Sequence, residues 1–312
     1  MNVSFVVPCY RSAGTITEVV KEIENVMSTR NHSAFEIILV NDSSPDDTYS
    51  VIKKLCSSDK RVTGINLAKN FGQHAAIMAG MNMATGEVVV CLDDDGQTPA
   101  DEVWKLLDKI NEGYDVVYAQ YRNKQHSGFR NMGSRMNSVM TEKLLGKPKE
   151  LYISSYFAAK RFVVEEIIRY KNAYPYVIGL VLRTTDKICN VEVEHRKRKY
   201  GRSGYTFHRL ISLWVNGFTA FSVKPLRTAA YCGSLTALFG FFYFVFTIVN
   251  KVRNPKVPLG WSSTMAVMLL IGGVVLVVLG IIGEYIGRIY LCINNSPQYV
   301  IREVTHNNQN EQ

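Results

Sequence analysis

The chain has 312 residues, 47% of them hydrophobic, and a formal net charge of +9 at pH 7. That length holds one large domain or two small ones. Two long uncharged stretches in the last third argue against a wholly water-exposed protein, and six cysteines without a C-x-x-C pair support neither a zinc site nor a disulfide framework.

The first residues, Met1 to Pro8, lack a basic leader and a cleavage pattern, and are expected to form a first β-strand. Short β-rich runs then recur at Val3–Val7, Phe35–Val40, Val62–Leu67, Glu87–Leu92 and Asp115–Ala119. Helical spacing fills the gaps at Thr15–Met27, Asp46–Leu55, Gln73–Met83 and Asp101–Ile110. Continuous apolar strands alternating with helices predict an α/β fold, Rossmann-like, with a mostly parallel sheet covered on both faces. In such sheets ligands bind beyond the carboxyl ends of the strands. Four polar turns follow the first four strands: Pro8-Cys9-Tyr10, Asn41-Asp42-Ser43-Ser44, Asn70-Phe71-Gly72, and Asp93-Asp94-Asp95-Gly96-Gln97. They should share one crevice. Neither a P-loop nor a G-x-G-x-x-G pattern occurs.

Farther along, the basic run His195-Arg196-Lys197-Arg198-Lys199 precedes the first apolar stretch, a position that favours lipid headgroups or phosphates over nucleic acid. A solvated basic loop is the simpler alternative. From Tyr205 to Val223 aromatic and polar residues alternate around Trp214, as in a helix lying in a membrane interface or packed on the soluble domain. The uncharged stretches Ala229 to Val249 and Ser262 to Gly283 are each long enough to span a bilayer. A short linker with Pro255 and Pro258 makes them a two-helix transmembrane hairpin. Lys224, Arg227 and Arg288 place both ends in the cytoplasm, although Lys251, Arg253 and Lys256 in the linker pull the other way. The expected organisation is therefore a cytosolic domain (1–204), interfacial helices (205–228), the hairpin (229–290) and a cytosolic tail (291–312).

Three consecutive carboxylates at the end of a buried strand repel one another unless a cation offsets them. Alternation along an extended segment sends Asp93 and Asp95 to one side, with Gln97 a further oxygen donor, a set suited to Mg²⁺ or Mn²⁺. An acidic turn capping the next helix is the alternative. Asp42 has two readings as well: a helix cap, or an acceptor for a base or ribose.

Together Val6-Val7-Pro8-Cys9-Tyr10, Val40-Asn41-Asp42-Ser43-Ser44, Asn70-Phe71-Gly72-Gln73 and Leu92-Asp93-Asp94-Asp95-Gly96-Gln97 resemble the GT-A fold of family-two glycosyltransferases. Arg198-Lys199-Tyr200-Gly201-Arg202-Ser203-Gly204-Tyr205, leading to Phe221-Ser222-Val223-Lys224-Pro225-Leu226-Arg227 and two spans, resembles the polyprenyl-phosphate subgroup that includes dolichol-phosphate mannose synthase and bactoprenol glucosyltransferases. The resemblance implies an inverting, metal-dependent transfer of a sugar from a nucleotide-sugar donor, UDP-linked in the bacterial relatives, to polyprenyl phosphate at the cytosolic face of the cytoplasmic membrane. It implies that Pro8, Tyr10, Asp42, Asn70 and Gly72 hold the nucleotide. Asp93 and Asp95 act as catalytic residues and, with Gln97, hold the metal. Arg122, Arg130, Ser134, Arg198 and Ser203 grip the acceptor phosphate. Relatives of this type can form homo-oligomers.

Three departures stand out. Arg11-Ser12 replaces a common Asn-Glu pair, Gly204 replaces a Lys, and Ile153-Ser154-Ser155-Tyr156 lacks the Asp assigned as base in many relatives. Competing readings are a diacylglycerol or polysaccharide acceptor, and a non-catalytic nucleotide-sugar-binding scaffold. A channel is disfavoured because neither span holds an internal ionisable residue.

Overall fold

The computed structural model describes residues 1–30, 34–96, 98–121, 142, 147–194, 224–253, 260–294 and 296–306. The chain divides into two compact units, Met1–Ile211 with Asn295–Gln312, and Ser212–Asn294.

The first unit is built on strands β1 (Val3–Cys9), β2 (Phe35–Asn41), β3 (Val62–Leu67), β4 (Val88–Cys91), β5 (Val116–Tyr121), β6 (Phe157–Lys160), β7 (Ile188–Val193) and β8 (Ile301–Thr305). They form one sheet in the order β7-β5-β6-β4-β1-β2-β3-β8. As the apolar runs predict, β3-β2-β1-β4 is parallel throughout, and β5 pairs parallel with β7. Only β6 and β8 run against their neighbours. The short β6 follows the 153–156 segment and pairs antiparallel with β4 and β5.

Helices α1 (Ile16–Ser28), α2 (Thr48–Ser58), α3 (Gln73–Met83), α4 (Val103–Asn111), α5 (Arg161–Ile168) and α6 (Val177–Thr184) cover the sheet. On α1 the buried positions Ile16, Val19, Val20, Ile23, Val26 and Met27 follow the three-and-four spacing of one helix face. That face joins α4 against Val3, Phe5 and Val7 of β1 and Ile37 and Leu39 of β2. The alternate residues of β1 and β2 meet α3, where Gly80 lies against Val6 and Val40. Cys9, Cys56 and Cys91 are buried and free, and burial lifts the Cys56 thiol to about 11, so these sulfurs serve as small apolar groups.

The expected tail, 291–312, contains a strand. β8 adds to the outer edge of β3, with Gly64 opposite Thr305 and Ile65 opposite Val304. Glu303 meets Lys53 at 3.1 Å, and Thr305 bonds the Tyr49 hydroxyl at 2.8 Å.

The second unit contains two long helices, α7 (Lys224–Arg253) and α8 (Trp261–Ile293). At 33 residues and 1.5 Å per residue, α8 extends about 50 Å. Among the described residues it is the helix long and apolar enough to cross a membrane: Leu270–Gly287 has mean hydropathy 2.2, and none of that window is buried within the protein. In α7 the apolar run Gly233–Tyr243 is shorter. The interfacial helix expected around Trp214 lies outside the described residues.

Candidate active site

The carboxyl ends of β1 to β4 open side by side, and the turns that follow them are tied to one another. Directly after β1 comes Tyr10, which is 45% exposed and whose backbone N–H donates to Asp94 at 2.8 Å. The next residue, Arg11, has φ 59°, a left-handed conformation uncommon outside glycine, and its N–H donates to Ser44 Oγ at 2.9 Å. After β2, Ser43 is left-handed too, with φ 51°. Two such residues facing one crevice mark backbone held in place by its surroundings.

Asp42 is only 4% exposed. Its two carboxylate oxygens each accept a backbone N–H, from Phe71 at 2.7 Å and from Gly72 at 2.8 Å, while its own carbonyl accepts from Asn70 Nδ2 at 3.3 Å. Burial raises its pKa, and the two N–H donors pull it down. Gly72 takes φ 91°, which a side chain would strain, and leads into α3. Asp42 therefore binds the second polar turn to the third. The cap reading is not what the bonds show, since the carboxylate reaches thirty residues along the chain and leaves α2 to Asp46 and Thr48.

In the acidic triplet, Asp93 and Asp94 turn to different neighbours, as alternation predicts. Asp94 accepts from Tyr10 N–H, and its carbonyl accepts from Thr15 Oγ1 at 2.7 Å. Asp93 accepts from Gln73 Nε2 at 2.9 Å and makes a short contact with the Ser155 hydroxyl. Burial, together with the charges of Asp95 and Asp94, lifts Asp93 to about 6, even though Ser155 and Gln73 favour its ionised form. Tyr121, at the end of β5, stands close enough for Asp93 and Asp95 to raise its hydroxyl pKa, after burial itself.

The crevice thus gathers Tyr10, Asp42, Asn70, Gly72 and Asp93 as anticipated, with Pro8 next to them on β1. Gln97, Arg122, Arg130, Ser134, Arg198 and Ser203 lie outside the described residues. Sequence reasoning gave no role to Gln73, Ser155 or Tyr121. Gln73 was visible as the last residue of a quoted motif and Ser155 as a departure from a pattern, but Tyr121 carried no signal. Carboxylate oxygens of this kind suit a hard divalent cation. Among the described residues no three His, Cys, Asp or Glu side chains group together to hold one.

The sequence profile of Glycosyl transferase family 2 matches residues 4–168, more than half of the chain. The chain belongs to that family. The family-2 domain is followed by a match to the GtrB C-terminal hairpin over residues 224–289. This family-2 transferase is 33% identical over 305 residues to the uncharacterised glycosyltransferase YkcC of Bacillus subtilis, covering 96% of this chain and 93% of that one. It is 32% identical over 310 residues to an undecaprenyl-phosphate 4-deoxy-4-formamido-L-arabinose transferase of Proteus mirabilis, covering 97% and 94%. Among solved structures it is similar to glucosyl-3-phosphoglycerate synthase of Mycobacterium tuberculosis, determined with Mn²⁺ and UDP-glucose. The TM-score is 0.54 at 18% identity, over 70% of this chain and 77% of that one. That likeness establishes the GT-A architecture of the domain.

Proposed function

We propose that this family-2 transferase moves a sugar from a nucleotide-sugar donor, UDP-linked, to a polyprenyl phosphate at the cytosolic face of the cytoplasmic membrane, inverting the anomeric centre. One arrangement carries this reading. The crevice of a family-2 domain bears Asp93 and Asp95, and the same chain continues into helices that match a glycosyltransferase membrane hairpin. The named transferase relatives, which span nearly the whole chain, act on undecaprenyl phosphate by name and support the acceptor class.

In this reading the exposed Tyr10 ring and the Asp42-held turn at Asn70–Gly72 receive the nucleotide. Asp95, beside the clamped Asp93 and with Gln97, faces the donor diphosphate. Hard carboxylate oxygens suit Mg²⁺ or Mn²⁺, ions that commonly bridge one or two protein carboxylates to substrate phosphates and water. Such an ion, when bound, stabilises the charge of the departing nucleoside diphosphate. Arg122, Arg130, Ser134, Arg198 and Ser203 would grip the acceptor phosphate, since guanidinium forks match phosphate oxygens.

Ser155, in the segment 153–156 that lacks the carboxylate assigned as base in many relatives, bonds Asp93, and a hydroxyl is no base at neutral pH. None is required. A phosphate monoester has a second pKa of about 6, so near pH 7 the acceptor is mostly a dianion with no proton to remove. A new bond forms from its oxygen to the anomeric carbon as the bond to the donor diphosphate breaks, and the electron pair leaves with the nucleoside diphosphate. In-line alignment then carries much of the rate.

The test incubates detergent-purified protein with short-chain polyprenyl phosphate, Mg²⁺ or Mn²⁺ and a panel of nucleotide sugars, with products read by mass spectrometry. A polyprenyl-phosphate sugar that disappears with EDTA and with Asp95→Ala is the expected result. Nucleotide binding without a lipid product from any donor, or a product with retained configuration, would refute the reading.

A further inference from the structure

Both carboxylate oxygens of Asp93 are engaged by side chains from other elements. Gln73 Nε2 donates to one oxygen at 2.9 Å, and the Ser155 hydroxyl donates to the other. The two donors are themselves anchored. Gln73 opens α3 directly after Gly72, whose N–H is fixed by Asp42. Ser155 ends a segment secured at Tyr152 by the Asn190 side chain, which accepts from Tyr152 N–H at 2.8 Å and donates to its carbonyl at 2.6 Å. Ser154 steadies the other side of Ser155 by bonding the Tyr156 carbonyl at 2.8 Å.

Both donors are uncharged. A lysine or arginine here would hold Asp93 as firmly, but it would neutralise the charge that draws a cation. Neutral donors fix the carboxylate and leave its charge in place.

We infer that Gln73 and Ser155 are positioning residues that clamp Asp93 from two sides and so set the geometry of the divalent-cation site before the donor arrives. The inference rests on the metal-dependent reading above and deepens it.

The test uses full-length protein in detergent and follows Mn²⁺ binding directly, by the electron paramagnetic resonance signal of free Mn²⁺, with and without UDP. Transfer is assayed in parallel across Mn²⁺ concentrations. Ser155→Ala and Gln73→Leu are each expected to weaken Mn²⁺ binding by about 10-fold or more, the usual effect of removing a group that orients a ligand. The half-saturating Mn²⁺ concentration should rise more than kcat at saturating metal falls. Ser155→Thr keeps the hydroxyl and should restore binding, and Asp95→Ala should abolish it. Melting temperatures report whether each variant is folded. Wild-type Mn²⁺ affinity in both Ser155→Ala and Gln73→Leu, with Asp95→Ala defective, overturns the clamp and leaves the metal site standing. Equal impairment in Ser155→Ala and Ser155→Thr assigns the position to packing and also overturns it. No Mn²⁺ binding by the wild-type protein overturns both the clamp and the metal-dependent reading.

Discussion

His74 follows Gln73 in the first turn of α3, with its ring edge-on to Tyr176 at a centroid separation of 5.1 Å. Its Nδ1 is buried without a hydrogen-bond partner among the described residues. Burial alone drives its pKa from 6.5 down to about 4, so the folded protein keeps the ring neutral where the unfolded chain would charge it. Because the folded value is the lower one, its contribution to stability is complete above pH 6.5 and is lost as pH falls toward 4. A difference of this size corresponds to roughly 3 kcal/mol once the pH is below both values. Asp93 works in the opposite sense. Raised to about 6, it favours the folded state as pH falls from 6 toward its ordinary 3.8. The two must be separated by difference. His74→Phe should lose less stability than the wild type between pH 7 and 4.5, which urea unfolding at the two pH values measures. Equal losses would show that His74 charges without opposing the fold.

At the scale of elements, α3 carries an unbroken buried run, Ala75 through Met81. It approaches β1 and β2 closely because position 80 has no side chain. A Cβ placed there would lie 2.4 Å from Val6 Cγ1 and 3.2 Å from Val40 Cγ2, and both valines are fully buried. Alanine in a helix interior gains about 1 kcal/mol over glycine. Forcing a methyl into a packed core costs about 1–3 kcal/mol. With no flexible side chain to give way, overpacking wins, and Gly80→Ala should lower the melting temperature. An unchanged or higher one would show that α3 can lift from the sheet.

The same element scale explains what the sequence revealed. β1 through β4 were legible because parallel strands buried on both faces are unbroken apolar runs, and the polar turns after them named the crevice. The antiparallel pairing of β6 was not legible, since four residues do not reveal the direction in which they pair. β8, Ile-Arg-Glu-Val-Thr, carries adjacent opposite charges and resembles a solvated tail until Lys53 and Tyr49 are seen beside it. The clamp on Asp93 joins residues far apart in the chain, and no local spacing encodes that.

At the scale of the whole molecule, the catalytic unit is completed by residues that follow the two long helices, α7 and α8. Val300 accepts the Ala68 N–H at 2.8 Å and Arg302 donates to the Ala68 carbonyl at 3.0 Å. Ala68 stands two residues before Asn70, so the last strand steadies the turn that Asp42 holds from the other side. A hydrogen-bonded sheet also cannot be divided by a bilayer. β1 through β7 come before α7 and β8 comes after α8, yet all belong to one sheet. The chain between them must therefore cross the membrane an even number of times. If α8 crosses once, parity requires a second crossing somewhere between β7 and β8, and α7 is the other long helix among the described residues there. Reporters fused to the two ends of the chain should light up on the same face of the membrane. Opposite faces would mean that β8 does not pair with β3 in the cell.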